Sequence, residues 1–130
     1  IDKNILEQAC RIITVGTIMV ENYPEEGMRN DFAMVLSNIA LRLFDNDIKK
    51  AERFVRKVAE LAQDEEVISR VNVVKHTAQR MKNGEPVVGI PTLEEMSGPN
   101  VAKDIERYIP SEYERAKYDD VVADQVRSPE

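Results

Sequence analysis

The sequence predicts an all-α protein, a compact bundle of about four main helices. Of the 130 residues 42% are hydrophobic, there is no Trp, and Gly numbers five. Several segments are rich in Ala, Leu, Ile, Glu, Lys and Arg, which favour helices over strands. A chain of this length can bury one core. We expect residues 1–98 to form the bundle together with a Pro/Gly strap, and residues 99–130 to form a C-terminal helical extension that is partly flexible.

The first helix is predicted over residues 4–20, where apolar residues recur at helical spacing. They are Ile5, Ala9, Ile12, Gly16 and Met19. Asp2 is the expected N-cap, and Pro24 and Gly27 lie in the turn that follows the helix. A lone cysteine cannot form an internal disulfide, so we expect Cys10 to be a small buried residue of this helix.

The second helix, over residues 28–44, is apolar on nearly every side, which is typical of the central helix of a bundle. It opens with Arg29, Asn30 and Asp31. Asn and Asp are preferred caps, so we expect Asn30 or Asp31 to cap this helix. The positive end of a helix dipole also favours anions, which makes Arg29 a candidate for binding a phosphate.

The third helix follows the sequence Asp45-Asn46-Asp47 and carries one apolar stripe up to Ala62. A D-x-D pair holds two divalent ions in polymerases, but in a turn between helices these residues are expected to act as caps. The fourth helix opens at Asp64, which should cap the amide of Glu66 or Val67. It closes at Gly84.

Residues 85–100 contain five Pro or Gly residues and are predicted to form an extended strap out of the bundle. They are Pro86, Gly89, Pro91 and Gly98, with Pro99 following directly. A short capped turn of helix is expected to start at Thr92. Two further helices with weaker apolar stripes are predicted over residues 99–109 and 111–126.

Several classes of function lack their sequence signatures. One His and one Cys cannot build a zinc site, the P-loop and dinucleotide-binding glycine motifs are absent, and no Ser–His acyl-transfer motif is recognisable. No run of eighteen apolar residues or secretory signal occurs, so we expect a cytoplasmic protein without a membrane partner. Because the chain starts with Ile, we expect it to be a fragment of a longer polypeptide.

The charge is distributed unevenly. A net charge of −6 argues against nonspecific coating of nucleic acid, and residues 104–130 hold eight acids against four bases. The fourth helix, in contrast, has no acid between Val67 and Lys82. Its cationic residues and the single histidine are Arg70, Lys75, His76, Arg80 and Lys82. Arg70 has two interpretations. It can form a salt bridge to Glu66 or to another helix, and composition alone favours this interpretation. It can also contact a phosphate, which suits its planar guanidinium.

Two segments, residues 24–43 and 64–98, resemble the helix-bundle or primase C-terminal domain of archaeo-eukaryotic-type primase-polymerases from plasmids and phages. The resemblance rests on Glu26-Gly27-x-Arg29-Asn30-Asp31, Asp64-Glu65-Glu66, Arg70, Val74, Thr77, Gly84 and Gly89-x-Pro91-x-Leu93. Many members of that family have His where this chain has Asn30. These motifs consist partly of ordinary helix starts and stops, so they are moderately specific.

The resemblance implies an accessory domain that binds single-stranded template DNA and an initiating nucleoside triphosphate such as ATP, and delivers them to a catalytic core. It implies no tightly bound cofactor, with Mg²⁺ arriving through the nucleotide. The partners would be the catalytic core and a helicase domain of the same polypeptide. The candidate contacts are Arg29, Asn30, Arg70, Lys75, His76, Thr77, Arg80 and Lys82, with Arg29 and Arg70 facing phosphates.

Two alternatives remain at this point: a non-catalytic module that joins the core to a helicase, and a helix-turn-helix regulator, since short helices can host one. Single-strand binding normally uses aromatic rings for stacking. The candidates for stacking are Tyr23, Tyr108, Tyr113 and Tyr118. The three phenylalanines, Phe32, Phe44 and Phe54, are expected in the core.

Overall fold

A computed structural model describes residues 2–109, and these residues form six helices without a strand. The helices are α1 (Lys3–Glu21), α2 (Arg29–Leu43), α3 (Ile48–Leu61), α4 (Val67–Lys82), α5 (Ile90–Ser97) and α6 (Pro99–Glu106). The predicted all-α class is confirmed. Across residues 2–109, no helix combines the length and the apolar character needed to cross a membrane. The predicted helix over 111–126 lies outside the described residues.

Helix α2 is the centre of the bundle, as its apolar pattern predicts. It packs against α3, α4 and α5, and α3 also packs along α4. Phe32, Leu36 and Ile39 on α2 are completely buried. Each such side chain contributes about 1.5–3 kcal/mol by leaving water. The position of α2 therefore fixes where its first turn, with Arg29 and Asn30, meets α4.

Two predicted N-caps, Asp2 and Asp47, are confirmed, and the hydrogen bond predicted for Asp64 is present although Glu66 holds the N-cap position of α4. The Asp2 carboxylate accepts the amide of Asn4 at 2.7 Å, and that of Asp47 accepts the amide of Lys50 at 3.1 Å. Asp64 Oδ1 accepts the amide of Glu66 at 2.9 Å, just before α4 begins. Gly84, with φ of +72°, follows the end of α4 in the left-handed conformation that glycine adopts without strain.

The predicted cap of α2 is wrong. Met28 occupies the N-cap position without a side-chain hydrogen bond, and Asn30 and Asp31 lie inside the first turn. The chain turns at Gly27, where φ is +98°, and enters the helix directly afterwards. The first turn thus starts before Asn30 or Asp31 can adopt the extended backbone of a cap. The carboxylate of Asp31 still lies at the positive end of the helix dipole.

The first half of α1 is more exposed than its sequence pattern predicts. The buried residues of α1 are Val15 and Met19, both in its second half, whereas Ile5 is 63% exposed. Cys10 is exposed as well, so its predicted burial is wrong. The physical reason is that the helices packed against α1, among them α3 and α6, cover only its second half, and an apolar stripe without a facing helix stays in water.

The strap is shorter than predicted. Helix α5 begins at Ile90, two residues before Thr92, and Pro91 lies in its first turn, where the missing proline N–H costs no hydrogen bond. The irregular part before it is tied to α2, because Asn38 Nδ2 donates to the carbonyl of Val88 at 2.9 Å. Helices α5 and α6 pack on each other, and Ile105 belongs to the same core as α2.

Candidate functional site

The eight predicted contact residues separate into two groups and two outlying lysines. Arg29 and Arg70 lie in a set of ionic and hydrogen-bonded side chains between α2 and α4, which we call the ion cluster. It consists of Tyr23, Arg29, Asp64, Glu66 and Arg70. Asn30, His76, Thr77 and Arg80 line a separate cleft. Lys75 and Lys82 are exposed on α4 and line neither place.

Asp64 is the centre of the ion cluster. Its side chain is 1% exposed, and Oδ2 accepts a hydrogen bond from Arg70 Nε at 2.8 Å. The hydroxyl of Tyr23 donates to the same oxygen. A buried carboxylate needs such partners, because it would otherwise lose its hydration without compensation. Arg70 also contacts Glu66, with Nη2 to Oε2 at 3.1 Å.

Arg29 binds the loop before α2 to the same cluster. Its Nε donates to the carbonyl of Pro24 at 2.9 Å, and its guanidinium carbon lies 5.6 Å from the centroid of the Tyr23 ring. Arg29 Nη1 is 3.9 Å from Asp64 Oδ1. The Tyr23 ring in turn packs edge-on against Phe32 at 5.1 Å between centroids. Tyr23, a candidate for base stacking, is therefore a packed structural residue here.

The pKa shifts in the cluster follow from these contacts. Burial raises the pKa of Asp64, but the hydrogen bonds from Arg70, Tyr23 and the Glu66 amide outweigh it, so that the pKa falls to about 2. Burial and the hydrogen bond to Asp64 raise the pKa of the Tyr23 hydroxyl well above its usual value. Burial alone would lower the pKa of Arg70. The hydrogen bond to Asp64 and the Asp64 charge raise this pKa by more than burial lowers it, so it lies above its usual value. Asp64 and Arg70 thus stay ionised, and the Tyr23 hydroxyl stays protonated, at neutral pH.

The salt bridge predicted between Arg70 and Glu66 is confirmed. The shallow depression beside the cluster, about 290 Å³, is lined by more carboxylates than guanidinium groups. Its lining is Glu26, Gly27, Arg29, Asp64, Glu65, Glu66 and Arg70. A phosphate contact at Arg29 or Arg70 stays a prediction, and a phosphate there would have to compete with Asp64 and face the nearby acids.

The cleft lies between the first turn of α2, the second half of α4 and the irregular segment before α5, and has a volume of about 430 Å³. Its lining is Asn30, Met34, Val73, His76, Thr77, Arg80, Pro86, Val87 and Val88. Thr77 is buried at its base, and Asn30 and His76 are exposed at its edge. The cleft thus combines apolar walls with polar groups from two helices.

Arg80 is oriented by the turn that ends α4. The amides of Gly84 and Glu85 bond back to the carbonyls of Met81 and Arg80. This turn places the Pro86 carbonyl where Arg80 Nε and Nη2 both donate to it, at 3.1 and 3.0 Å. The side chain is 55% exposed, and its nearest carboxylate, Glu85, is 4.0 Å from Nη1. A neutral carbonyl holds the guanidinium in place without cancelling its charge.

The sequence predicted the polar residues of this cleft but not its walls. Asn30, His76, Thr77 and Arg80 were predicted as contacts, whereas Met34 and the segment 86–88 were not. The proline and valines of that segment signal an extended strap, but its return onto α2 through Asn38 has no local signature. Within residues 2–109 no group of three or more His, Cys, Asp or Glu residues is placed to hold a metal ion.

No protein-family model, curated protein sequence or solved structure matches this chain. The resemblance to primase-polymerase helix-bundle domains therefore stays a prediction from the residue pattern. What supports a function is the geometry of the cleft and the ion cluster together with that pattern.

Proposed function

We propose that the chain is an accessory domain of a DNA primase-polymerase, which binds single-stranded template DNA and an initiating nucleoside triphosphate in the cleft. The observation that carries the proposal is the convergence of Asn30, His76, Thr77 and Arg80 on one cleft. Asn30 is distant in sequence from the other three, and the residue pattern of the sequence predicts all four as contacts. A volume of about 430 Å³ lies within the range of small-molecule sites, about 300–1,000 Å³.

The chemistry of the cleft suits a nucleotide. Arg80 keeps an accessible charge for a phosphate, and Arg binds phosphate with parallel N–H donors. Asn30 and His76 can form hydrogen bonds with a base or a sugar at the edge of the cleft. Met34 and Val88 give the flat, apolar face of a base a surface to pack against. Aromatic stacking is not required for this mode of binding.

The other predicted residues take different roles in this proposal. Arg29 and Arg70 position the start of α2 relative to α4 through Asp64. Lys75 and Lys82, exposed on the same helix as Arg80, contribute long-range attraction to the DNA backbone. Mg²⁺ would arrive with the triphosphate. The catalytic core and the helicase would belong to other parts of the same polypeptide.

A titration of the isotope-labelled 130-residue chain tests this function. A short oligothymidylate is added at low salt, with and without ATP, and the amide NMR shifts are followed. We expect saturable shift changes at Asn30, His76, Thr77 and Arg80. We expect Arg80→Gln to weaken binding about tenfold, equivalent to about 1.4 kcal/mol. Arg56→Gln, an exposed arginine on α3 outside the cleft, is the matched control and should bind normally.

Two results would contradict the proposal: an absence of saturable binding by either ligand, or equal weakening by Arg80→Gln and Arg56→Gln. Equal weakening would mean that the total charge of the chain, and not the cleft, attracts the DNA. If the oligonucleotide binds and ATP does not, the triphosphate part of the proposal fails and the template part stands.

The interaction module that joins a catalytic core to a helicase is a second candidate, and one observation favours it. The first half of α1 exposes Ile5 and Leu6, which are 63% and 50% exposed, beside the exposed Cys10. Apolar side chains grouped in this way are typical of surfaces that pack against another protein or domain. A chain that binds neither oligonucleotide nor ATP in the titration would favour this candidate.

A further inference from the structure

An apolar groove lies between α1 and α3, and it shares no lining residue with the cleft or the ion cluster. Its volume is about 790 Å³, larger than that of the cleft. Ile12, Phe44, Phe54 and Val58 lie along it. Gly16 keeps the groove deep, because a Cβ at this position would lie 3.5 Å from the Phe54 ring and occupy the space beside it. The proposed function leaves this part of the surface unused.

The groove is elongated and its edges are incompletely covered. On α3 its lining extends from Lys50 to Leu61, a length of about 17 Å, or three turns of helix. Ile13 on α1 is 67% exposed and Leu61 is 60% exposed, and both line the groove. Exposed apolar side chains beside an apolar groove gain free energy when a second apolar surface covers them. A groove of this shape suits an amphipathic helix better than a compact ligand.

The edge of the groove on α3 is cationic. Lys50, Arg53 and Lys57 are exposed and follow one another at spacings of three and four residues, so they share one side of the helix. None of the three forms an ion pair with another residue in the range 2–109. Three like charges along one edge of an apolar groove favour an occupant that brings carboxylates to that edge.

The opposite edge, on α1, has a different character. It carries Ile13, Thr17 and Glu21, of which Glu21 alone is charged. A carboxylate of an occupant would be repelled by Glu21 on this side and attracted by the cations on the other. The groove therefore distinguishes the two flanks of a bound helix. It favours an acidic flank towards α3 and an uncharged or basic flank towards α1.

We propose that the groove binds an amphipathic helix of a partner protein, with the apolar face of that helix in the groove and its acidic flank on α3. About three turns of the partner helix would fill the length of the groove. Apolar side chains at spacings of three and four residues would cover Ile13 and Leu61. Carboxylates at the same spacings would meet Lys50, Arg53 and Lys57 in register, as charged flanks do beside the apolar seam of a coiled coil.

Two other occupants match the groove less well. A second copy of the chain would offer α1, whose first half exposes Ile5 and Leu6. Glu7, the acid in that half of the helix, lies about 160° around the helix axis from Ile5, so this half has no acidic flank beside its apolar face. A nucleic acid strand would pair with the three cations, but its charged backbone would lose hydration against the apolar walls.

Two synthetic peptides, added to the full 130-residue chain and followed by fluorescence anisotropy, test the proposal. Both contain three heptads with leucine at the first and fourth positions. The second and fifth positions form one flank, and they are glutamate in the acidic peptide and lysine in the basic one. We expect the acidic peptide to bind about tenfold more tightly. The net charge of −6 favours the basic peptide, so the opposite preference requires a local cationic surface.

Variants of α3 locate the acidic flank. Arg53→Glu combined with Lys57→Glu should reverse the preference, so that the basic peptide binds about tenfold more tightly than the acidic one. The matched control is Lys49→Glu with Arg56→Glu, an exposed Lys and Arg on α3 outside the groove. It makes the same change in net charge and should keep the preference for the acidic peptide. All four side chains are exposed, so both double variants leave the core intact.

A second pair of variants tests the apolar part of the interface. Ile13→Asn, at the edge of the groove, should weaken binding of the acidic peptide about tenfold, because a polar side chain replaces an apolar one that the peptide covers. Ile68→Asn on α4 is the matched control and should bind normally. Ile68 lies outside the groove and is 68% exposed, close to the 67% of Ile13.

The proposal is overturned if neither peptide binds saturably, if both bind equally, or if the variants of either matched pair behave alike. Self-association of the chain that Ile13→Asn abolishes, measured by sedimentation, would also overturn it, because a second copy would then fill the groove. Displacement of the acidic peptide by oligothymidylate would assign the groove to nucleic acid. Oligothymidylate bound at the cleft would leave the peptide in place, so this proposal and the proposed function fail independently.

Discussion

Arg70 and Arg80 lie on the same helix in the same acid-free stretch, yet their surroundings differ completely. The side chain of Arg70 is 9% exposed and contacts two carboxylates, those of Asp64 and Glu66. That of Arg80 is 55% exposed and is held by a backbone carbonyl. The first guanidinium is neutralised by its neighbours, whereas the second is largely exposed and has, within residues 2–109, only Glu85 at 4.0 Å as an ion-pair partner. A cationic helix is therefore not a uniform binding surface.

The difference originates in the loops at the two ends of α4. The loop before α4 contributes Asp64, which caps the Glu66 amide with one oxygen and binds Arg70 and Tyr23 with the other. The loop after α4 turns at Gly84 and brings the Pro86 carbonyl to Arg80. A buried carboxylate fixes an arginine as part of the fold, and a carbonyl orients it without cancelling its charge. One end of α4 is thus part of the structural framework of the bundle, and the other end carries the arginine that we propose as a ligand contact.

The largest expected effect is the loss of the carboxylate at the centre of the ion cluster. Asp64→Asn leaves the Arg70 charge buried without its main partner, so we expect the free energy of unfolding to fall by about 3–5 kcal/mol. Glu65→Gln, an exposed neighbour, is the control and should change it by less than about 0.5 kcal/mol. Urea denaturation measures both. If the two variants have similar stability, the cluster does not hold the fold together.

The same variant has an expected pH dependence. The pKa of Asp64 in the folded chain, about 2, is below its ordinary value of 3.8. A lowered pKa stabilises the fold above the ordinary value, and this contribution is lost as the pH falls from 3.8 towards 2. The stability difference between the natural chain and Asp64→Asn should shrink across that interval and stay constant above it. A stability difference between the natural chain and Asp64→Asn that stays constant down to pH 2 would contradict the proposed link between the ionisation of Asp64 and the stability of the fold.

The bundle was predictable because its signals are local. The all-round apolar pattern of α2 and the caps at Asp2, Asp47 and Asp64 depend on residues adjacent in sequence. Burial of Cys10 was predicted wrongly, because an apolar stripe does not reveal whether another helix covers it. The cap of α2 was also predicted wrongly. The chain turns at Gly27, so the helix starts ahead of Asn30 and neither Asn30 nor Asp31 can cap it.

The candidate site was predictable in part for the same reason. His76, Thr77 and Arg80 are neighbours through the helical repeat of α4, so the sequence groups them. Asn30 joins them because α2 packs on α4. The residue pattern links the two segments but does not show which residues of α2 lie beside those of α4. The contact between Tyr23 and Asp64 joins residues 41 positions apart and has no sequence signal.

An intermediate effect is expected when the Tyr23 hydroxyl is removed. Tyr23→Phe keeps the ring packed on Phe32 but deletes the hydrogen bond to Asp64, which should cost about 1.5–3 kcal/mol, typical of bonds to charged groups. Because the pKa of Tyr23 is raised in the folded chain, this contribution is complete below its ordinary value of 10.0 and is lost as the pH rises above it. Thermal or urea unfolding at several pH values should show a constant difference from pH 6 to 9 that narrows above pH 10. Tyr108→Phe is the control. A stability difference between the natural chain and Tyr23→Phe that widens above pH 10 would contradict a raised pKa of Tyr23.

The smallest expected effect concerns Arg80, and it decides whether the two ends of α4 differ as proposed. Arg80→Gln loses hydrogen bonds to one exposed carbonyl and should lower the free energy of unfolding by about 0.5–1 kcal/mol. Arg70→Gln leaves Asp64 buried without its closest cation, with only Arg29 at 3.9 Å remaining, and should cost about 3–5 kcal/mol. Urea denaturation of the two variants under identical conditions compares them directly. Similar losses would make Arg80 a structural residue as well, and weaker oligonucleotide binding by Arg80→Gln would then reflect a disturbed fold. A small loss makes Arg80→Gln a variant that changes the charge of the cleft while the bundle around it stays intact.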